Sequence, residues 1–87
     1  ELEEAAYGTG LVRDVVAFGI DDAALGQRIV LVVTPAGDEF QASALAAALR
    51  PVLPAYMLPS RIEVRADLPR SPNGKFDRPL IKSEVSG

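Results

Sequence analysis

Two apolar runs, Val15 to Ile20 and Ile29 to Thr34, constrain this chain more than anything else in it. Neither alternates with polar side chains, and the second is rich in β-branched residues. Each therefore reads as a short strand covered on both faces, not as a surface strand with one wet side. Asp21-Asp22 ends the first run and Pro35-Ala36-Gly37 ends the second. Residues 21–28 join them through a turn that includes Gly26. With 87 residues there is room for one domain at most. Such a chain buries only about 60–65% of the surface its unfolded form exposes. A thin sheet with a layer on each side fits that limit, and a deep internal cleft does not.

The covering layers are legible nearby. Leu2 to Tyr7 reads as a helix tail, stopped by a left-handed cap at Gly8 or Gly10. Ser43 to Arg50 is rich in Ala and Leu, with Leu45 and Leu49 four apart on one face, and Pro51 ends or kinks it. Pro54 and Pro59 bracket a constrained loop with room for a helical turn, in which Tyr56 and both prolines set packing and loop shape. Ile62 and Val64 alternate with Glu63 and Arg65, the pattern of a half-exposed third strand. Residues 66–77 form a turn-rich connector. Residues 78–84 suit a last helix, with Asp77 as N-cap and Pro79 in its first turn. The expected fold is α+β, a small three-stranded sheet with helices packed on it. Its predicted core contains Phe18, Ile29, Leu31, Val33, Leu49 and Ile62.

Composition removes several chemistries. The chain has no cysteine and no histidine, which excludes disulfides, thiolate nucleophiles, Ser-His and Cys-His catalytic pairs, and the usual zinc ligand sets. No metal site is expected in it. No unbroken apolar stretch, Ile29 to Val33 included, is long enough to span a membrane. Charge is unevenly spread. Residues 1–44 carry eight acids and two bases, and residues 45–87 carry four acids and seven bases. An anionic partner would favour the second half. Nucleic acid is a poor candidate, because the bases alternate with acids and no run of stacking aromatics accompanies them.

Chemistry concentrates in Ser71-Pro72-Asn73-Gly74-Lys75. Asn-Gly is a strong tight-turn signal, since both residues accept positive φ. Pro72 stiffens the approach, and the turn would carry Lys75 at its tip. A compact charge on a long stem suits a phosphate or carboxylate target. The spacing is not that of a phosphate-binding P-loop, which needs Gly-x-x-x-x-Gly-Lys-Ser/Thr. Taken alone, these five residues are adequately explained as a turn followed by a solvated lysine.

Their neighbours change the weighing. Leu53-Pro54-Ala55-Tyr56-Met57-Leu58-Pro59 precedes Ile62-Glu63-Val64. Then follows Asp67-Leu68-Pro69-Arg70-Ser71-Pro72-Asn73-Gly74-Lys75-Phe76-Asp77-Arg78. The whole resembles the closing motif of the adenylate-forming enzymes: acyl-CoA synthetases, adenylation domains of non-ribosomal peptide synthetases, and luciferases. Leu11 to Ile20, Asp22 and Leu25-Gly26-Gln27 agree more loosely. The resemblance implies that residues 1–87 are a single C-terminal lid domain. The chain opens Glu1-Leu2-Glu3-Glu4 without a Met and reads as a fragment. The hinge and the N-terminal catalytic domain would lie upstream of Glu1.

The resemblance also implies the chemistry. A carboxylic acid reacts with ATP to give an acyl-adenylate, the lid turns, and the acyl group passes to a thiol. Lys75 takes the position of the family's catalytic lysine. Asn73 and Gly74 shape the turn and are candidates for nucleotide contact. Asp77 and Arg78 are explained by helix capping and surface pairing, and Gly26 by its turn. ATP and Mg2+ would be bound mainly by the absent domain, with CoA as co-substrate. The partners implied are the chain's own N-terminal domain in cis, the carboxylic acid, and a CoA or carrier-protein thiol, in the cytoplasm. An AMP-forming acyl-CoA ligase is the first reading. The alternatives are a peptide-synthetase adenylation domain and a non-catalytic interaction domain of the same fold. The fragment alone is expected to be inactive, and acetylation of Lys75 would remove its charge and switch the first step off.

Overall fold

The computed structural model of the chain describes residues 2–24 and 26–86. Two long antiparallel strands, β1 (Val12–Asp22) and β2 (Gly26–Pro35), form a hairpin. A short third strand, β3 (Arg61–Val64), pairs with β2 in parallel, so β2 is central in the order β1-β2-β3. A parallel partner requires a crossover, and helix α2 (Ala42–Leu49) supplies it. Helix α1 (Leu2–Gly8) precedes the sheet, and α3 (Arg78–Ser86) closes the chain. This is the α+β arrangement expected, with helices on both faces.

Both hairpin strands outrun their apolar stretches. Asp21 pairs with Gln27 and Asp22 with Gly26, so ladder hydrogen bonds carry the strands past the buried zone. Gly26 stands at φ +81° with nothing within 4 Å of where a Cβ would sit. Backbone conformation alone therefore favours glycine there. Leu25 and Glu1 lie outside the described residues.

Alternation along β2 divides the core. Leu31 and Val33, with Val12 and Val15 of β1, pack under Leu2 and Ala6 of α1 and Leu45 and Leu49 of α2. Val30 and Val32, with Val16 and Phe18, pack under Leu68 of the connector and Ile81 and Val85 of α3. Val12 and Val15 share a face despite their odd spacing because the register shifts between Val12 and Asp14. A bulge that inserts one residue restores the phase. Of the predicted core, Phe18, Leu31, Val33 and Leu49 are buried. Ile29 and Ile62 are only half-buried, since they sit at the margin of the sheet, Ile62 on its outer strand.

Helix α1 ends as its glycines suggested, with the left-handed residue at Gly10 (φ +75°). The Thr9 and Gly10 amides donate to the Ala6 and Tyr7 carbonyls, and the Thr9 hydroxyl also donates to Ala6 (2.7 Å). The same helix reaches the outer flank of β1. Glu3 Oε2 accepts the Ala17 amide (2.8 Å), and Tyr7 Oη accepts the Val15 amide (3.3 Å). Residues four apart on a helix share a face, and that face meets two outward amides of one strand.

Past α2, the Val52 and Leu53 amides both donate to the Leu49 carbonyl before the chain enters its proline-bracketed loop. A single 3-10 turn fills Ala55–Met57. Leu53 and Leu58 pack against the α1/α2 cluster. Tyr56, expected to set packing, is instead 82% exposed. A one-turn helix offers one inward side, and the leucines flanking it take that place.

Candidate active-site hairpin

The connector is built more firmly than its turn residues alone predict. The Gly74 amide donates to the Ser71 carbonyl (2.9 Å), and the Ser71 amide donates to the Lys75 carbonyl (2.7 Å). Arg70 and Phe76 form an antiparallel bridge below. Gly74 has φ +84°, while no non-glycine residue among those described has positive φ. Asn73 therefore does not share the left-handed conformation expected of an Asn-Gly type I′ turn. Pro72 and Asn73 take the two central positions of a type I turn, and Gly74 follows as a left-handed bulge residue. The physical reason is Pro72: before an Asn73-Gly74 primed turn it would hold the strand position whose N–H pairs across the narrow hairpin, and proline has no N–H to give.

Nothing lies within 4 Å of the Cβ position at Gly74. Substitution there meets conformational cost without collision, and Gly74→Ala should destabilise the hairpin by about 1–2 kcal/mol. A lower urea midpoint of the variant domain checks this.

Pro72, Asn73, Gly74 and Lys75 are all exposed. Among the described residues, the Lys75 ammonium has no hydrogen-bond or ion-pair partner. Its carbonyl is the group that is held, by the amide and the hydroxyl of Ser71 (2.7 and 3.3 Å). The backbone is fixed and the charge is left outward. A cation presented this way can approach an anion on another surface.

Beyond the tip the chain locks onto the body. The Asp77 amide donates to the Pro69 carbonyl (2.9 Å), and Asp77 Oδ1 accepts the Leu80 amide (3.2 Å), capping α3. Arg78 Nη1 and Nη2 donate to Glu3 Oε2 and Oε1 (3.0 and 3.1 Å). Both expectations for Asp77 and Arg78, helix cap and surface pair, are met. Glu3 thus ties together α1, the flank of β1 and the first turn of α3.

Burial raises the Glu3 pKa, but hydrogen bonds from Arg78 and the Ala17 amide, with the charge of Arg78, outweigh it and leave the carboxyl below its ordinary value. A carboxylate held lower in the folded state stabilises the fold above its unfolded pKa, about 4.3. That contribution disappears as pH falls through the folded value. Glu3→Gln should therefore lower the urea midpoint at pH 7 and cost no more than about 1 kcal/mol, since half-exposed Arg78 is screened by water. At pH 2 the variant and the parent sequence should converge.

The hairpin tip carries no carboxylate, and among the described residues no group of three or more His, Cys, Asp or Glu side chains is placed to hold a metal ion. A cleft of about 350 Å³, lined by Gly10, Leu11, Ala36, Gly37, Glu39 and Phe40, includes no hairpin residue. No helix among the described residues is long and apolar enough to cross a membrane.

Two residues that matter to the hairpin escaped sequence reading. Arg70 and Asp14 lie 56 positions apart, and only the folded sheet brings them together. Arg70 Nη1 donates to the Gly74 carbonyl (2.8 Å), and its Nη2 lies 3.7 Å from Asp14 Oδ1.

Residues 1–75 match the model of the AMP-binding enzyme C-terminal domain. A linear gramicidin synthase from Brevibacillus parabrevis is 38% identical over 80 residues, covering 90% of this chain and 2% of that protein. A long-chain-fatty-acid–CoA ligase of Salmonella typhimurium is 29% identical over 87 residues, covering all of this chain and 16% of that protein. Among solved structures, a mutant amide bond synthetase from Marinactinospora thermotolerans superposes with TM-score 0.90 at 22% identity, covering 99% of this chain and 18% of that one. This last likeness concerns the fold alone. The chain spans less than a fifth of each of these proteins.

Proposed function

This chain belongs to the AMP-binding enzyme C-terminal domain family, and we propose that it is the lid of a longer, cytoplasmic, carboxylate-activating ligase in which Lys75 is the catalytic cation of the first step. In that step a carboxylate oxygen attacks the α-phosphorus of ATP. The acyl–oxygen–phosphorus bond forms, the bond to the bridging oxygen of pyrophosphate breaks, and pyrophosphate leaves with the electron pair. Two anions meet, and charge gathers on the oxygens in flight. An ammonium placed there favours the transition state over the ground state. In the second step a thiol sulfur attacks the acyl carbon, the thiol proton is lost, and AMP leaves.

One observation carries the reading: within the motif that resembles the family, Lys75 stands exposed on a rigid hairpin with no partner for its ammonium among the described residues. Asn73 and Gly74, at the same tip, are candidates for nucleotide contact. ATP would be held mainly by an N-terminal domain in cis, as would Mg2+, for which the described residues offer no ligand cluster.

The acceptor separates two branches. An acyl-CoA ligase using CoA is supported by the likeness to the fatty-acid–CoA ligase. A peptide-synthetase adenylation domain using a carrier-protein thiol is supported by the higher identity to the gramicidin synthase. It is also supported by the wording of Tyr56-Met57-Leu58-Pro59 with Asn73-Gly74-Lys75. Supplying the full-length enzyme with free CoA or with a phosphopantetheinylated carrier protein distinguishes them by which thioester forms.

The central test takes the full-length enzyme and a panel of fatty, aromatic and amino acids. ATP–pyrophosphate exchange identifies the activated acid. That half-reaction is then compared with thiol transfer from the supplied acyl-adenylate, with and without Lys75. The proposal requires the two to separate. The 87-residue chain alone should give no acid-dependent exchange.

A further inference from the structure

The direction of the Lys75 side chain depends on the two peptide planes that flank its Cα. Both are pinned. The plane after Lys75 is held through its carbonyl by the Ser71 amide (2.7 Å). The plane before it is held through the Gly74 carbonyl by Arg70 Nη1 (2.8 Å). With both planes fixed, φ and ψ of Lys75 are fixed, and so is the vector along which its stem departs.

Arg70 is itself constrained on three sides. Its guanidinium carbon lies 4.3 Å from the centroid of the Phe76 ring, a distance for cation–π attraction. Its Nη2 faces Asp14 Oδ1 at 3.7 Å. Asp14, whose side chain is only 17% exposed, also accepts a hydrogen bond from Arg13 Nε (3.1 Å). Asp14 stands on β1 directly after the bulge and opposite Thr34 of β2. A planar cation therefore links the sheet to one of the two carbonyls that orient Lys75.

We propose that Arg70, backed by Asp14, is a positioning residue for the adenylation step: it aims Lys75 by holding the Gly74 carbonyl. This deepens the proposed function and rests on it. A misplacement of about 1 Å can cost as much as 100-fold in rate. Arg70 carries both the carbonyl bond and the contact to the sheet, whereas lysine has no planar fork with which to make both.

The test uses the full-length enzyme with Lys75→Ala, Arg70→Ala, Arg70→Lys, Asp14→Asn and the Arg70→Ala/Lys75→Ala double variant. Each is assayed by pyrophosphate exchange on the acid found by the panel, by thiol transfer from preformed acyl-adenylate, and by thermal unfolding. Arg70→Ala should lower kcat of exchange by about 10- to 100-fold, with KM for ATP and thiol transfer changed less than about twofold. Arg70→Lys should recover part of the loss, and Asp14→Asn should show a smaller loss of the same kind. In the Lys75→Ala background, removing Arg70 should cost nothing more. The inference fails if the Arg70→Ala loss persists in that background, if both half-reactions fall together, or if a lower unfolding temperature accompanies and explains the loss. If Lys75→Ala itself leaves exchange intact, the proposed function fails and the brace with it. If Lys75→Ala is damaging and Arg70→Ala is harmless, only the brace fails.

Discussion

Lys75→Ala in the full-length enzyme should reduce acyl-adenylate formation by about 10²–10³-fold and leave thiol transfer from supplied acyl-adenylate within about threefold. The first figure is the loss seen when one electrostatic donor to a developing charge is removed, about 2.7–4 kcal/mol. The second follows from geometry. Among the described residues the hydrogen bonds of Lys75 are made by its backbone, and alanine retains them. Folding should be unaffected, and thermal unfolding checks this directly. Lys75→Arg keeps the charge but replaces a compact ammonium with a wider planar fork, so it should recover activity only in part. Equal loss in both half-reactions would mean that Lys75 supports the structure. Acetylation of Lys75 should reproduce the alanine phenotype by neutralising the same charge, and enzymatic deacetylation should restore exchange.

The largest effect on stability should come from Leu31→Ala. Leu31 is fully buried at the centre of β2, in the cluster beneath α1 and α2. Removing its isobutyl group loses transfer free energy and leaves a cavity, for a total cost of about 2–5 kcal/mol. A domain of this size has about 4–13 kcal/mol in all, at about 0.05–0.15 kcal/mol per residue. The substitution should therefore shift the urea midpoint far toward zero or leave the chain unfolded at room temperature. Val64→Ala, on the outer strand and 49% exposed, serves as the control and should change stability by less than about 0.5 kcal/mol. Similar losses at the two sites would mean that Leu31 is not buried beneath α1 and α2.

Local signals carried much of this fold. Unbroken apolar character in residues 29–34 announced a strand covered on both sides. Leu45 and Leu49 announced a helix face, and Pro51 its end. Asp77 announced a cap. These features depend on neighbours in sequence, so the sequence reports them. What escaped it depends on neighbours in space. The bulge at Val12/Asp14 is a property of pairing with β2 and has no marker residue of its own. Tyr56 carries an apolar ring that gives no sign of facing outward. Asn73-Gly74 has the composition of a primed turn, and the preceding proline overrides it. At the hairpin, the turn that presents Lys75 was legible from Pro72-Asn73-Gly74, whereas the contacts of Arg70 with the Gly74 carbonyl and with Asp14 were not. Ion pairs between distant residues are written in no local pattern, and both partners read as ordinary surface charges.

The contacts of Glu3 and Tyr7 with the Ala17 and Val15 amides also bear on how the domain, on its own, would associate with itself. Fibre growth by strand addition needs two receptive borders on every copy. Here the middle of one border, at Val15 and Ala17 of β1, is already occupied by side chains from the chain's own first helix. A pair of copies joined through β3 would leave only these partly filled β1 borders outward, so growth beyond the pair would have to displace Glu3 and Tyr7.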